Sequence, residues 1–296
     1  MSKFSVPTAF LCVILIWSTT PLAVQWSTGN APITSAFFRM LIGVIFCGGL
    51  MAISKAPLPL DRLALRLYLV SGLSIFAGMS LIYWAAQSIP SGWIAVLFGL
   101  SPLFTGLFSV FVEPETRLTF SRGLGIMLGL FGLFLVFKAG LSINANTFKG
   151  VLLMFISVIV ASSSSVLIRH LAASRKLTGR QITTGGLLVA IPIFAVAALI
   201  VDPIGAVDFS NKALISIVYL GLIGTGVGFT LYYFLLNNTS ANNVSLVTLV
   251  TPITALLLGS WLNNEAVIPN VWLGGICVVI GLLLYQYKPR LGLKKL

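Results

Sequence analysis

The residues of this chain that could do chemistry are hydroxyls, aromatic rings and two prolines set inside long apolar runs. Pro102 and Pro252 lack a backbone N–H and clash with the carbonyl four residues back, so a helix carried through them releases the carbonyls of Phe98 and Thr248. In hydrocarbon a freed carbonyl must find a partner or line a cavity. A packed kink and a cavity-facing bend both meet that demand. Thr248 and Thr251, on one helical face at i and i+3 with Thr254 or Ala255 continuing the stripe, argue for the second. The run Ser162 to Ser165 must point in every direction around a helix, so its hydroxyls bond back to their own carbonyls, contact a polar ligand, or do both. Gly221, Thr225, Gly228 and Tyr232 recur at i, i+4, i+7 and i+11, a small-residue face ending in an aromatic with a polar tip. Ser80, Tyr83 and Gln87 are the expected partners of that face. Trp17 and Ser18 fall in the middle of a run rather than at an interface where aromatic belts gather, whereas Trp93 and Trp261 near run ends read as belt anchors.

The same inventory argues against catalysis. An intramembrane enzyme needs a nucleophile with a base, or a metal cluster, at membrane depth, and the sequence offers neither: the one histidine, His170, lies at a run end among basic residues. Cys12, Cys47 and Cys277 sit in apolar segments, where a thiol behaves as a small hydrophobe, so no disulfide, metal or cofactor is expected. The six acids, Asp61, Glu113, Glu115, Asp202, Asp208 and Glu265, all fall in or beside loops. Ion-coupled carriers commonly hold an intramembrane acid or histidine. The expectation is therefore movement of a ligand down its own gradient, with Glu115 and Glu265 closing helices rather than carrying protons.

Elements that could position these groups follow from composition. With 58% hydrophobic and 8% charged residues and a mean hydropathy of +1.05, against about 25% charged in soluble domains, this is an all-α integral membrane protein. Ten apolar runs are long enough to cross about 30 Å of hydrocarbon: 8–27, 34–53, 65–86, 92–112, 121–138, 149–169, 181–201, 213–236, 243–262 and 270–287. The first is too long for a signal-peptide core and reads as a retained anchor. Of the 18 Lys and Arg, only Lys138, Lys149 and Lys212 fall on one side, with Arg39 left near a helix end where it can snorkel outward or meet a rim carbonyl. Both termini then face the cytoplasm. The net charge of +12 is spread over short loops, where anionic lipid attracts it, and does not call for nucleic acid.

Residues 81–138 recur, diverged but ungapped, at 231–288. The matches that carry weight are Pro102/Pro252, Glu115/Glu265 and Gly125/Gly275, punctuation rather than leucine on leucine. Five spans per half turn the second half upside down: an inverted repeat, divided as 1–140 and 149–290. Inverted repeats are a transporter architecture, with a site at the repeat interface exposed alternately to each side. Gly125 and Gly129, and Gly224 and Gly228, permit close helix approach within the bundle rather than between chains.

Trp17-Ser18, Pro32, Arg39, Pro102, Glu115, Gly125, Tyr232, Ser245, Pro252, Gly259, Glu265, Gly274 and Gly281, in this order and spacing, resemble the EamA-type members of the drug/metabolite transporter superfamily over nearly the whole chain. The resemblance implies ten helices in two inverted five-helix repeats, with spans 1, 3, 4, 6, 8 and 9 around a central cavity and spans 5 and 10 peripheral. Many such relatives export amino acids or related metabolites. The Glu113-Pro114-Glu115 turn and the serine run depart from the usual pattern. The resulting expectation is a secondary transporter in the plasma membrane, a monomer, whose cavity of Trp17, Ser18, Tyr83, Phe98, Pro102, Ser162, Ser165, Tyr232, Thr248, Thr251 and Pro252 takes a small zwitterionic or neutral substrate. The alternative is a drug or nucleotide-linked metabolite; a nucleotide-sized anion would want buried Arg or Lys, and only Arg39 is near enough to consider.

Overall fold

A computed structural model describes residues 5–112, 119–174, 177–203, 210–238, 247–266 and 268–286. The described elements are helices: α1 (Val6–Thr28), α2 (Pro32–Ile53), α3 (Arg62–Ala85), α4 (Ser91–Phe98), α5 (Ser101–Val112), α6 (Phe120–Ile143), α7 (Ala145–Ser174), α8 (Gly179–Val201), α9 (Asn211–Tyr219), a π segment (Leu220–Val227), α10 (Gly228–Asn238), α11 (Val247–Asn263) and α12 (Pro269–Gln286). Nine described stretches are long and apolar enough to cross a membrane, and a tenth apolar helix, Val250–Asn263, is shorter. Large apolar side chains such as Leu15, Ile45, Phe111, Leu199 and Trp261 are exposed on the outside of the bundle. In water that would be an unfavourable surface; against lipid it is the matching one.

Helix starts follow local chemistry. Ser5, Asp61, Thr178 and Ser210 cap α1, α3, α8 and α9 through their side-chain oxygens, and Thr178 with Gln181 completes a capping box. The span expected to stop at Lys138 continues to Ile143. A lysine at depth can carry its charge along its stem to the interface, so it does not end a helix.

The fourth crossing is two helices, α4 and α5. Pro102 is the second residue of α5, where a missing N–H costs nothing because first-turn donors have no helical partner. The carbonyl it frees, that of Phe98, accepts the Ser101 hydroxyl at 2.6 Å. Pro252 instead lies within a continuous α11. Gly99 faces it so closely that an added Cβ would stand 3.0 Å from the Pro252 ring, so the two repeat-related proline sites abut.

Helices α6 and α12 pair with each other. Cβ atoms at Gly132 and Gly274 would meet the partner glycine's carbonyl at 2.6 and 2.8 Å, and Gly125 and Gly281 approach each other in the same way. Glycine is required there because two backbones are in contact, and the contact lies within one chain. Trp261 is 84% exposed, as a belt anchor should be, but Trp93 is 1% exposed and belongs to the main core with Ile89, Leu97 and Leu256. Position near a helix end does not place a side chain at the lipid interface when that face of the helix is covered.

Candidate functional site

Trp17, Ser18 and Thr20 on α1 meet the second half of the chain. The Trp17 and Tyr232 rings lie 4.9 Å apart at 38°. One residue on, the Ser18 hydroxyl shares a 2.6 Å hydrogen bond with Thr254 of α11 while also donating to its own helix at Ile14 O, 2.7 Å. Thr19 reaches Tyr219 at 2.6 Å. A single turn of α1 therefore touches α9, α10 and α11.

The face Gly221, Thr225, Gly228 and Tyr232 exists, but its partners are α2 and α1 rather than α3. A Cβ on Gly221 would meet Ile42, one on Gly226 would meet Phe46, and one on Gly228 would stand 3.5 Å from Trp17 Nε1. Between α9 and α10 the backbone runs as a π-helix over Leu220–Val227, a wider turn often found at functional positions. Small residues at Gly221, Gly224 and Gly226 let α2 press against it.

Into that turn points Arg39. The guanidinium does not snorkel: Arg39 is 2% exposed and among the largest fully buried side chains. Its Nε donates to Thr225 Oγ1 at 3.0 Å, and its Nη1 has no hydrogen-bond partner among the described residues. The described acids are used elsewhere. Asp202 accepts from Thr34 N and Oγ1 at 2.6 and 2.7 Å, capping α2; Asp61 caps α3; Glu265 accepts from Ser91 Oγ and Gly92 N at 3.0 and 3.3 Å, capping α4. Hydropathy could not separate a buried Arg39 from a snorkelling one.

Other expected site residues are buried or half-buried. Tyr83 is fully buried in the main core, its hydroxyl unpartnered among the described residues. Ser162 donates to Ser101 O at 3.1 Å across to α5, whereas Ser165 bonds back to Ala161 O at 2.7 Å. Phe98 packs on the core, Pro102 is half-buried, and Thr248, Thr251 and Pro252 are buried in α11. A cleft of about 440 Å³ opens instead at Trp84, Gln87, Ser88 and Asn144 to Leu153, where no expected site residue lies. Glu113, Glu115, Asp208, Arg175 and Ser245 fall outside the described residues.

The bundle end that holds the C-terminus of α1 is cross-linked by polar contacts. Trp26 Nε1 donates to Asn263 Oδ1 at 2.8 Å, Asn263 Nδ2 donates to Glu265 Oε1 at 2.9 Å, and Lys212 Nζ sits 4.3 Å over the Trp26 ring. These contacts join α1, α4, α9 and α11 at one rim.

A family model described as the EamA-like transporter family matches residues 5–138 and 148–287. A Bacillus subtilis protein named "Uncharacterized transporter YoaV" is 23% identical over 94% of this chain and 95% of its own length. The Escherichia coli "Uncharacterized inner membrane transporter YedA" is 25% identical over 95% and 92%, and an E. coli protein named "Probable amino-acid metabolite efflux pump" is 22% identical over 95% and 94%. A protein of known crystal structure shares the fold with a TM-score of 0.69 at 19% identity, over 96% of this chain and 98% of that one.

Proposed function

Since this chain belongs to the EamA-like transporter family across both halves of its length, we propose that it exports amino acids or related small metabolites, zwitterionic or neutral, by alternating access between halves 1–140 and 149–290. The observation that carries the reading is the contact of α1 with α10 and α11: Trp17 against Tyr232 at 4.9 Å, and Ser18 bonded to Thr254 at 2.6 Å, join helices of opposite halves. Aromatic walls with a few hydroxyls suit a small amphiphilic ligand, and an inverted-repeat carrier opens and closes at contacts of this kind. The E. coli relative named an amino-acid metabolite efflux pump supports the substrate class. YedA's name, an inner membrane transporter, supports the plasma membrane as location. Both termini face the cytoplasm in this reading, so the Trp26–Asn263–Glu265 rim is the external gate in its closed position.

Flux in proteoliposomes, measured for a panel of amino acids, amines and nucleotide sugars, tests this. Saturable movement of amino acids that nucleotide sugars do not inhibit is the expected result. Movement of nucleotide sugars alone would replace it with the nucleotide-linked reading.

A further inference from the structure

Arg39 is a buried cation whose charge no described acid balances. Taking a guanidinium out of water is costly unless it is paired and fully hydrogen-bonded, and an ionisable residue at membrane depth marks a functional position. Its Nε is held by Thr225, while Nη1 is left without a partner among the described residues. Gly224 shows where a partner would go. The point one Cβ away from its backbone stands 3.6 Å from Arg39 Nη2, 3.8 Å from Thr20 Oγ1 and 3.5 Å from Leu220 Cδ2, so a methyl-sized space adjoins the guanidinium in this closed arrangement. Thr20 Oγ1 spends its proton on Ile16 O at 2.7 Å, which leaves its lone pairs to accept. Four residues further along, an added Cβ on Gly228 would stand 3.5 Å from Trp17 Nε1.

We propose that the Arg39 guanidinium, held against the π turn by Thr225, binds the carboxylate of the substrate, with the substrate's ammonium on Thr20 and its side chain toward Trp17 and Tyr232. The inference rests on the transport reading and names the charge its ligand must carry. A guanidinium offers parallel donors that match a carboxylate. A single cation neutralises a single negative charge, so the site fits a carboxylate rather than a multiply charged phosphate.

The test uses the full chain in nanodiscs and reads thermal unfolding with leucine, its deaminated analogue isocaproate, and its decarboxylated analogue isoamylamine. For the wild type, leucine and isocaproate raise the midpoint and isoamylamine does not. Arg39→Met and Gly224→Ala lose that response, corresponding to about a 10- to 100-fold weaker affinity for loss of hydrogen bonds to a charged group. Without ligand, R39M melts no lower than the wild type, because an unbalanced buried charge has been removed. G224A also melts no lower, because its methyl fits at ordinary contact distance yet fills the gap. A carboxylate response retained in R39M, isoamylamine stabilising as well as leucine, no carboxylate response in the wild type, or a clearly lower melting point for ligand-free R39M would each overturn the assignment. Flux separates the two readings. Carboxylate binding at Arg39 without transport removes the transport proposal alone, and transport of isoamylamine equal to that of leucine removes the Arg39 assignment alone.

Discussion

Replacing Glu265 should weaken the fold without touching ion coupling. Its Oε2 accepts from Ser91 Oγ at 3.0 Å and from Gly92 N at 3.3 Å, at the first turn of α4, and its Oε1 accepts from Asn263 at 2.9 Å. The carboxylate thus belongs to the second half of the chain and caps a helix of the first. Loss of an N-terminal cap costs about 0.5–2 kcal/mol, and loss of a negative charge at a helix N-terminus about 0.3–1 kcal/mol. Glu265→Ala, which loses both and strands Asn263, should cost about 2 kcal/mol; Glu265→Gln, which keeps its shape and one acceptor, about 1 kcal/mol. At about 2–4 °C per kcal/mol, the midpoints should fall by about 4–8 °C and 2–4 °C. The assay pairs thermal unfolding in nanodiscs with proteoliposome flux under an imposed pH gradient, internal pH being read with a dye. Both variants should transport without substrate-driven proton movement, as should the wild type. A Glu265→Gln protein that melts like the wild type yet abolishes a substrate-dependent proton flux present in the wild type would refute the reasoning and make this carboxylate a carrier. The repeat-related Glu115, outside the described residues, is open to the same pair of assays.

Gly125→Leu should destabilise the protein severely, because the new side chain must displace the backbone of α12, whereas Gly123→Ala, with nothing within 4 Å of the added Cβ, should be neutral or slightly stabilising in the same unfolding assay. Thr254→Val should cost about 1 kcal/mol by removing the Ser18 partner, visible as a small drop in midpoint and a changed transport rate; an unchanged rate would separate that bond from the pathway. In a background with Cys12, Cys47 and Cys277 replaced, a cysteine at Asn146 should react with an impermeant thiol reagent added to intact cells and one at Arg180 should not, the reverse labelling inverting the topology.

Helix content was largely legible because bilayer thickness fixes the length of an apolar run, and the ten spans agree with the structure to within a few residues at most ends. Pro102 and Pro252 alike imply a bend, but the crossing is broken only at the first, where Ser101 donates to the freed Phe98 carbonyl, while Pro252 lies inside a continuous α11. What escaped was set by residues far apart in sequence. The acid at 202 reads as a loop residue until α2 is seen to start against it, with Thr34 as donor. Trp93 reads as a belt anchor until the main core is seen to bury its ring. Arg39 lies 186 positions from Thr225, and a π turn adds a residue to a helix without altering its hydropathy, so no periodicity exposes it. Of the expected site, Trp17, Ser18 and Tyr232 meet across the halves, while Tyr83 went into the core because α3 offers its face to α7 and α8 rather than to α9 and α10.

The central claim, that a small zwitterion passes between the two halves where Trp17 meets Tyr232, is tested most directly by counterflow of labelled leucine in proteoliposomes loaded with unlabelled leucine. Wild type, Trp17→Ala and Tyr232→Ala are reconstituted at equal density and checked for equal melting behaviour. The account predicts transient accumulation of label by the wild type and little or none by either variant. Equal accumulation in all three would contradict it and move the pathway away from the α1–α10 contact.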